Sequence, residues 1–288
     1  MKQRIITGII VVLIMIPIVL FAQTPVLPIA IAIGSVIAMF EIMRCIGMQK
    51  AYAFAVPLYV LAASLPFLSR FMALGSLNAT VKPESAKHLA QQGAILIITI
   101  LFYFFTIAIF SRGKYNIADV SVLFTISFYT LIGFNSIIIL HDNEEGGHIL
   151  YLAIFISAWV TDVFAYFCGM LFGKGGKHKL IPDVSPKKTV EGSIGGIVFC
   201  VIAMMLFGLL CNTFTKYQSN ILMFAIGGFL ASIVSQIGDL LMSFVKRHYN
   251  IKDFSQLFPG HGGVLDRFDS ILAVAIAMMC LTTFVDFF

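Results

Sequence analysis

Charge is scarce in this chain of 288 residues: only 11% are Asp, Glu, Lys or Arg, against 59% apolar. Together with a mean hydropathy of +0.97, this excludes a water-soluble globular domain, which needs far more polar surface to face solvent. Cysteine is sparse too. Cys45, Cys168, Cys200, Cys211 and Cys280 show no paired spacing and mostly fall in or beside apolar runs, so neither a disulfide framework nor a thiolate metal site is expected. HExxH, CxxC and GxxxxGK[ST] are all missing, which leaves zinc hydrolysis and P-loop chemistry without support. The apolar runs also lack the period-two alternation of lipid-facing strands, so helices rather than a barrel must cross the bilayer.

The sequence does contain a series of apolar runs suited to ~30 Å of hydrocarbon, which takes about 17–25 residues per helix. They lie approximately at Ile5–Phe21, Val26–Met43, Tyr52–Leu68, Ala94–Phe110, Ala118–Leu140, Ile149–Phe172, Ile194–Cys211, Ile221–Val245 and Ile271–Phe288. The expected fold is an all-α polytopic membrane protein of about nine transmembrane helices. The first run follows MKQR as a secretory signal would, but it is longer than a usual signal core, and Leu20 is not the small residue a cleavage site wants. It reads as a retained helix. With the N-terminus inside, fifteen of the nineteen Lys and Arg fall on inner segments and four (Arg70, Lys82, Lys87, Lys216) outside. Positive loops stay cytoplasmic, so the N-terminus is expected inside and the C-terminus outside. The net charge of +5 is mainly this asymmetry, and a nucleic-acid partner has no place in the account. Size and the lack of a targeting extension suggest a bacterial cytoplasmic (inner) membrane.

Polarity divides the chain in two. Residues 1–140 have short connectors and no reaction centre, and read as a transmembrane scaffold. Residues 141–288 carry two long inner loops, 173–193 and 246–270, and read as the catalytic region, its site facing the cytoplasm. Ser232, Ser235, Gln236, Asp239 and Ser243 recur at steps of three and four, which puts them on one helix face that must look inward. Asp239 is ~9 Å and Asp162 roughly 15 Å from the inner helix ends at 1.5 Å per residue. A carboxylate at such depth costs ~3 kcal/mol on insertion scales, so both are functional candidates. Spans six and eight would wall a polar funnel open to the cytoplasm.

Three motifs line its mouth. The loop SPKKTVEG (Ser185 to Gly192) presents Lys187 and Lys188, the hydroxyls of Ser185 and Thr189, and Glu191 just before a glycine-rich helix start. Backbone amides at such a start cradle phosphate, and the lysines can neutralise a triphosphate or a departing pyrophosphate. The stretch GDLLMSFVKRHYNIKDFS contributes Asp239, and PGHGGVLDRFDS contributes Asp266 and Asp269, three apart and so on one helix face. Three carboxylates suit Mg²⁺, which takes one or two of them together with substrate phosphates and waters. Arg267 can grip a phosphate bidentately. Gly262 and Gly263 let backbone approach a ligand closely. His261 is left open between phosphate binding, acid–base help and loop architecture.

The 27 positions SFVKRHYNIKDFSQLFPGHGGVLDRFD, from Ser243 to Asp269, together with TDVFAYF and SPKKTVEG, resemble the phosphatidate cytidylyltransferases, or CDP-diacylglycerol synthases. The likeness covers about the C-terminal half; Val190 stands where that family commonly has tryptophan. The resemblance implies a Mg²⁺-dependent reaction of CTP with phosphatidate that gives CDP-diacylglycerol and pyrophosphate, in contact with membrane lipids. It also implies roles. Asp239, Asp266 and Asp269 would hold the metal, Lys187, Lys188 and Arg267 the phosphates, and Asp162 and Glu191 would orient them. Lys246, Arg247 and Lys252 would join Ser185, Thr189, Gly262 and Gly263 around the nucleotide. A second cation, a homodimer and another lipid phosphate as acceptor stay open. A transporter is disfavoured because the polarity is one-sided and no matching half is visible.

Overall fold

The computed structural model describes residue 8 and residues 13–78, 83–142, 146–173 and 178–288. Most of residues 5–12 of the expected first span, and positions 174–177 of the GKGGKHKL run, lie outside the described residues. So do positions 79–82 and 143–145 of two expected outer connectors.

The helical segment 13–20, α1, leads into α2 (Val26–Cys45), α3 (Tyr52–Asn78), α4 (Pro83–Phe110) and α5 (Ile117–His141). A single turn, α6 (Gly147–Leu150), precedes α7 (Leu152–Phe172). After the hairpin β1 (Lys179–Ile181) and β2 (Ser185–Thr189) come α8 (Val190–Phe214), α9 (Ile221–His248) and α10 (Leu265–Thr282). Seven helical stretches among the described residues are long and apolar enough to cross a membrane, and they correspond to the second to eighth expected spans. The protein is thus a mainly α-helical membrane protein.

Two local expectations change. SPKKT, read as loop, forms strand β2, antiparallel to β1 with Lys179 opposite Thr189 and Ile181 opposite Ser185. Pro182 to Val184 supply the turn, and Pro186 is tolerated because each strand of a two-stranded ribbon has a free edge. The last helix starts at Leu265 instead of Ile271, so Asp266, Arg267 and Asp269 sit in its first turns, in keeping with the helix face expected for the two carboxylates, although the inner loop was expected to reach residue 270. Those three charges are why α10 falls short of the apolar composition of a spanning helix.

The helices α7, α8, α9 and α10 pack in succession, and α10 also packs on α5, which in turn holds α2 and α3. The two halves of the sequence therefore share one core. At the cytoplasmic end expected from the charge pattern, the Tyr249 hydroxyl after α9 donates to Asp119 Oδ1 in the first turn of α5 at 2.9 Å. Burial and the adjacent Asp119 charge push that phenol pKa up, so it stays a donor.

Gly238 sets the α9–α10 distance. A Cβ there would lie 2.8 Å from the Asp269 carbonyl oxygen, which is backbone and cannot swing away. Gly238→Ala is expected to cost about 1–3 kcal/mol through overpacking, read as a lower unfolding midpoint in detergent. An unchanged midpoint would show that the two helices can part freely here.

Candidate active site

A cavity of about 540 Å³ lies between α7, α8, α9 and the hairpin, with Asp162, Lys187, Lys188, Thr189, Gln236 and Asp239 among its lining residues. Each wall has a local cause. Thr189 ends β2 and caps α8, its Oγ1 accepting from Gly192 N at 3.1 Å, which turns the first turn of that helix toward the cavity. Ser193, in the same turn, donates its hydroxyl to Gln236 Oε1 and accepts the Gln236 amide on its carbonyl at 3.3 Å, tying α8 to α9. The Thr161 hydroxyl reaches Ser232 Oγ at 2.9 Å, tying α7 to α9. Ser232, Ser235 and Gln236 are buried, as expected for the polar face of the eighth span.

The charges meet here. Lys188 Nζ lies 2.6 Å from Asp239 Oδ2, and Asp239 Oδ1 accepts from Ser243 Oγ at 3.3 Å. Asp162 Oδ2 accepts from Ser270 Oγ of α10 at 3.2 Å. Asp269, one residue earlier, is within electrostatic reach of both Asp162 and Asp239. Asp162 and Asp239 thus line the cavity from two helices, and Asp269 of α10 lies within electrostatic reach of both without lining it.

Asp266, expected in the metal set with Asp239 and Asp269, stands elsewhere. Its Oδ1 accepts from Lys246 Nζ at 2.8 Å, and its Oδ2 from Phe254 N at 2.8 Å and Gly263 N at 2.9 Å. The pair is buried, with side chains only 10% and 2% exposed. Asp266 is turned to its own loop and locks it. The physical reason is its place in the helix: it lies three residues before Asp269, close to the same face, but at the N-terminal turn, where the loop amides compete for it. Lys246, expected at the nucleotide, is consumed by the same lock.

The loop has a second anchor that was not among the expected residues. Glu41 of α2, only 1% exposed, accepts from Ser255 Oγ at 2.6 Å, Val264 N at 3.0 Å and Leu265 N at 2.8 Å. A carboxylate from the first half thus satisfies the orphan amides at the start of α10 and complements its dipole. Its signal was present in the sequence: Glu41 is the one acidic residue in the apolar run Val26–Met43.

The other expected residues are dispersed. Glu191 Oε1, in the first turn of α8, pairs with His178 Nδ1 at 2.6 Å. Arg247 donates to the Ile251 carbonyl at 3.2 Å, and Lys252 is exposed. Ser185 opens β2 and does not line the cavity. His261 sits in a tight turn closed by Phe258 N to Gly262 O at 2.8 Å, with its own amide on Phe258 O. Gly260 and Gly262 take positive φ of 79° and 83° there, which a glycine accommodates without strain. Arg267 is exposed and within electrostatic reach of Asp162.

A family model, described as the cytidylyltransferase family, matches residues 2–285. The chain belongs to that family. Among its curated relatives, a phosphatidate cytidylyltransferase of Bacillus subtilis (strain 168) is 33% identical over 276 residues, 95% of this chain and 94% of the relative. One from Staphylococcus haemolyticus is 31% identical over 95% of this chain and 96% of its own length, and one from Staphylococcus aureus (strain COL) is 30% identical over the same shares. The match extends through α1 to α5, whose only sequence-level likeness to the family was their hydrophobicity.

The Mg²⁺ expected for this family member can be tested against its donors. Among the described residues no three His, Cys, Asp or Glu side chains form a ready metal cage. Mg²⁺ needs none, because it binds through one or two carboxylates and completes its shell with phosphates and water. Asp239 and Asp269, with Asp162 beside them, offer such carboxylates; the oxygens of Asp266 are engaged by Lys246 and two loop amides in this structure, as those of Asp239 are by Lys188 and Ser243.

Proposed function

We propose that the chain transfers the cytidylyl group of CTP to phosphatidate, releasing pyrophosphate and forming CDP-diacylglycerol. The observation that carries this reading is the cavity in which two lysines of the hairpin and a capped helix start face the carboxylates of Asp162 and Asp239, at the end of apolar membrane helices. A phosphate-rich, water-soluble substrate and a lipid phosphate can meet only in such a place.

In the proposed reaction a phosphate oxygen of phosphatidate attacks the α-phosphorus of CTP. A new O–P bond forms as the bond from the α-phosphorus to the oxygen bridging the β-phosphate breaks, and pyrophosphate leaves with that electron pair. Such chemistry needs positioning and charge neutralisation rather than a covalent nucleophile. Lys187, Lys188 and the amides at the start of α8 bind the triphosphate. Arg267 orients the lipid phosphate through its planar fork. Asp239 and Asp269, supported by Asp162, would hold Mg²⁺, which supplies further neutralisation of phosphate charge when bound. Lys188 is the counter-ion of Asp239 in this structure, so phosphate and carboxylate share one cation. The excess of Lys and Arg on inner segments supports a cytoplasmic N-terminus and a cytoplasmic cavity mouth.

The test is pyrophosphate release by the purified protein in detergent. Release should require both CTP and phosphatidate, and Asp269→Asn should lower it about 100-fold, the scale of one preorganised electrostatic group, at an unchanged unfolding midpoint. No release from well-folded wild-type protein would overturn the reaction; full activity in Asp269→Asn would remove that residue from the site.

A further inference from the structure

A second cavity, of about 210 Å³, lies between α1, α2, α5 and the starts of α7 and α10. We propose that it receives one acyl chain of the lipid substrate and so sets the position of the lipid phosphate on Arg267; this rests on the reading above.

Three observations point to that occupant. The lining is apolar except for Arg267, its one charged side chain among the described residues. Arg267 has no side-chain hydrogen bond or ion pair among the described residues, although it lies within electrostatic reach of Asp162 in the catalytic cluster. A guanidinium in the wall of a greasy cleft asks for an anion attached to something apolar, and a phospholipid whose head is a bare phosphate has that shape.

Helix α7 connects the cleft with the reaction centre. Phe155, in its wall, and Asp162 are seven residues apart on α7, hence on nearly the same face and ~10 Å apart along the axis. Phe134 of α5 and Phe268, the neighbour of Arg267, meet at 5.1 Å between ring centroids, which holds the first turn of α10 against the cleft. On α2, Ala30 and Gly34 lie one turn apart and keep the floor low; a Cβ added at Gly34 would meet only the Phe134 ring at 3.7 Å. Ile14 of α1 and Ile33 of α2 line the cleft and are also exposed, so it opens sideways to lipid.

Lipid tails are as apolar as the cleft walls, so the cleft supplies orientation more than affinity. Filling it should therefore disturb long-chain substrates selectively. Ala30→Trp is expected to lower the rate with dioleoyl phosphatidate about tenfold relative to dihexanoyl phosphatidate, with the KM for CTP unchanged. Equal losses on both lipids, or none, would overturn the proposal.

Because Ala30→Trp can also disturb folding, wild-type protein provides an independent measurement. Phosphatidate carrying a diazirine on its acyl chain should label α1, α2 or Phe155, and unlabelled phosphatidate should compete while diacylglycerol should not. Labelling elsewhere, or equal competition by diacylglycerol, would rule out a phosphate-directed tail site. If the wild-type protein labels as expected yet releases no pyrophosphate with any phosphatidate, the reaction fails and the lipid site stands.

Discussion

Asp266→Asn is expected to destabilise the protein by about 3–5 kcal/mol, the cost of breaking a buried ion pair from one side. The neutral amide would leave Lys246 buried without its counter-ion and would weaken the acceptance of the Phe254 and Gly263 amides. Thermal unfolding in detergent should show the loss whether or not substrate is present, and activity should fall because the loop loosens. Replacing both partners, Asp266→Leu with Lys246→Met, should recover much of that stability, since a buried pair is often matched by apolar residues of similar volume. An Asp266→Asn variant that melts like wild type but binds metal poorly would return Asp266 to the metal set and refute the lock.

Glu41→Ala should produce the second large effect, a loss of about 3 kcal/mol or more, since hydrogen bonds to a charged group contribute about 1.5–3 kcal/mol each and three depend on it. Its consequence should be local first. The start of α10 would lose its capping carboxylate, and the loop from Asn250 to Val264 would open more often. Trypsin cleavage at the exposed Lys252 should accelerate, in step with lower activity. Glu41→Gln keeps one acceptor but turns an amide donor toward the α10 amides, so it should fall between wild type and alanine. If cleavage at Lys252 is unchanged in Glu41→Ala, the carboxylate is not what holds the loop.

These two residues mark where sequence reasoning stops. The run Val26–Met43 was legible as a span because eighteen residues of greasy chain have few other fates. Nothing in that run says that Glu41 will meet Leu265, 224 positions away. Asp162 and Asp239 were legible as functional candidates because a carboxylate deep in a span demands a reason. Asp266 and Asp269 were harder to separate. Three-residue spacing predicts a shared helix face correctly, yet one helical turn decides whether a carboxylate meets loop amides or other carboxylates. The start of α10 was misplaced for a related reason: apolar content locates the middle of a buried helix, whereas its end depends on which groups satisfy the first amides.

By itself the sequence determined the class of molecule, a bundle of membrane helices, together with the positions of its polar motifs and their resemblance to cytidylyltransferases. Those properties follow from transfer free energies and local spacing, which act on each segment separately. Only the tertiary structure decided the partnerships: Lys246 with Asp266, Lys188 with Asp239, Glu41 with the start of α10, and Arg267 in the wall of an apolar cleft. Charges inside a membrane protein must find partners, but which partner each finds depends on distances across the folded chain, and no window along the sequence contains them.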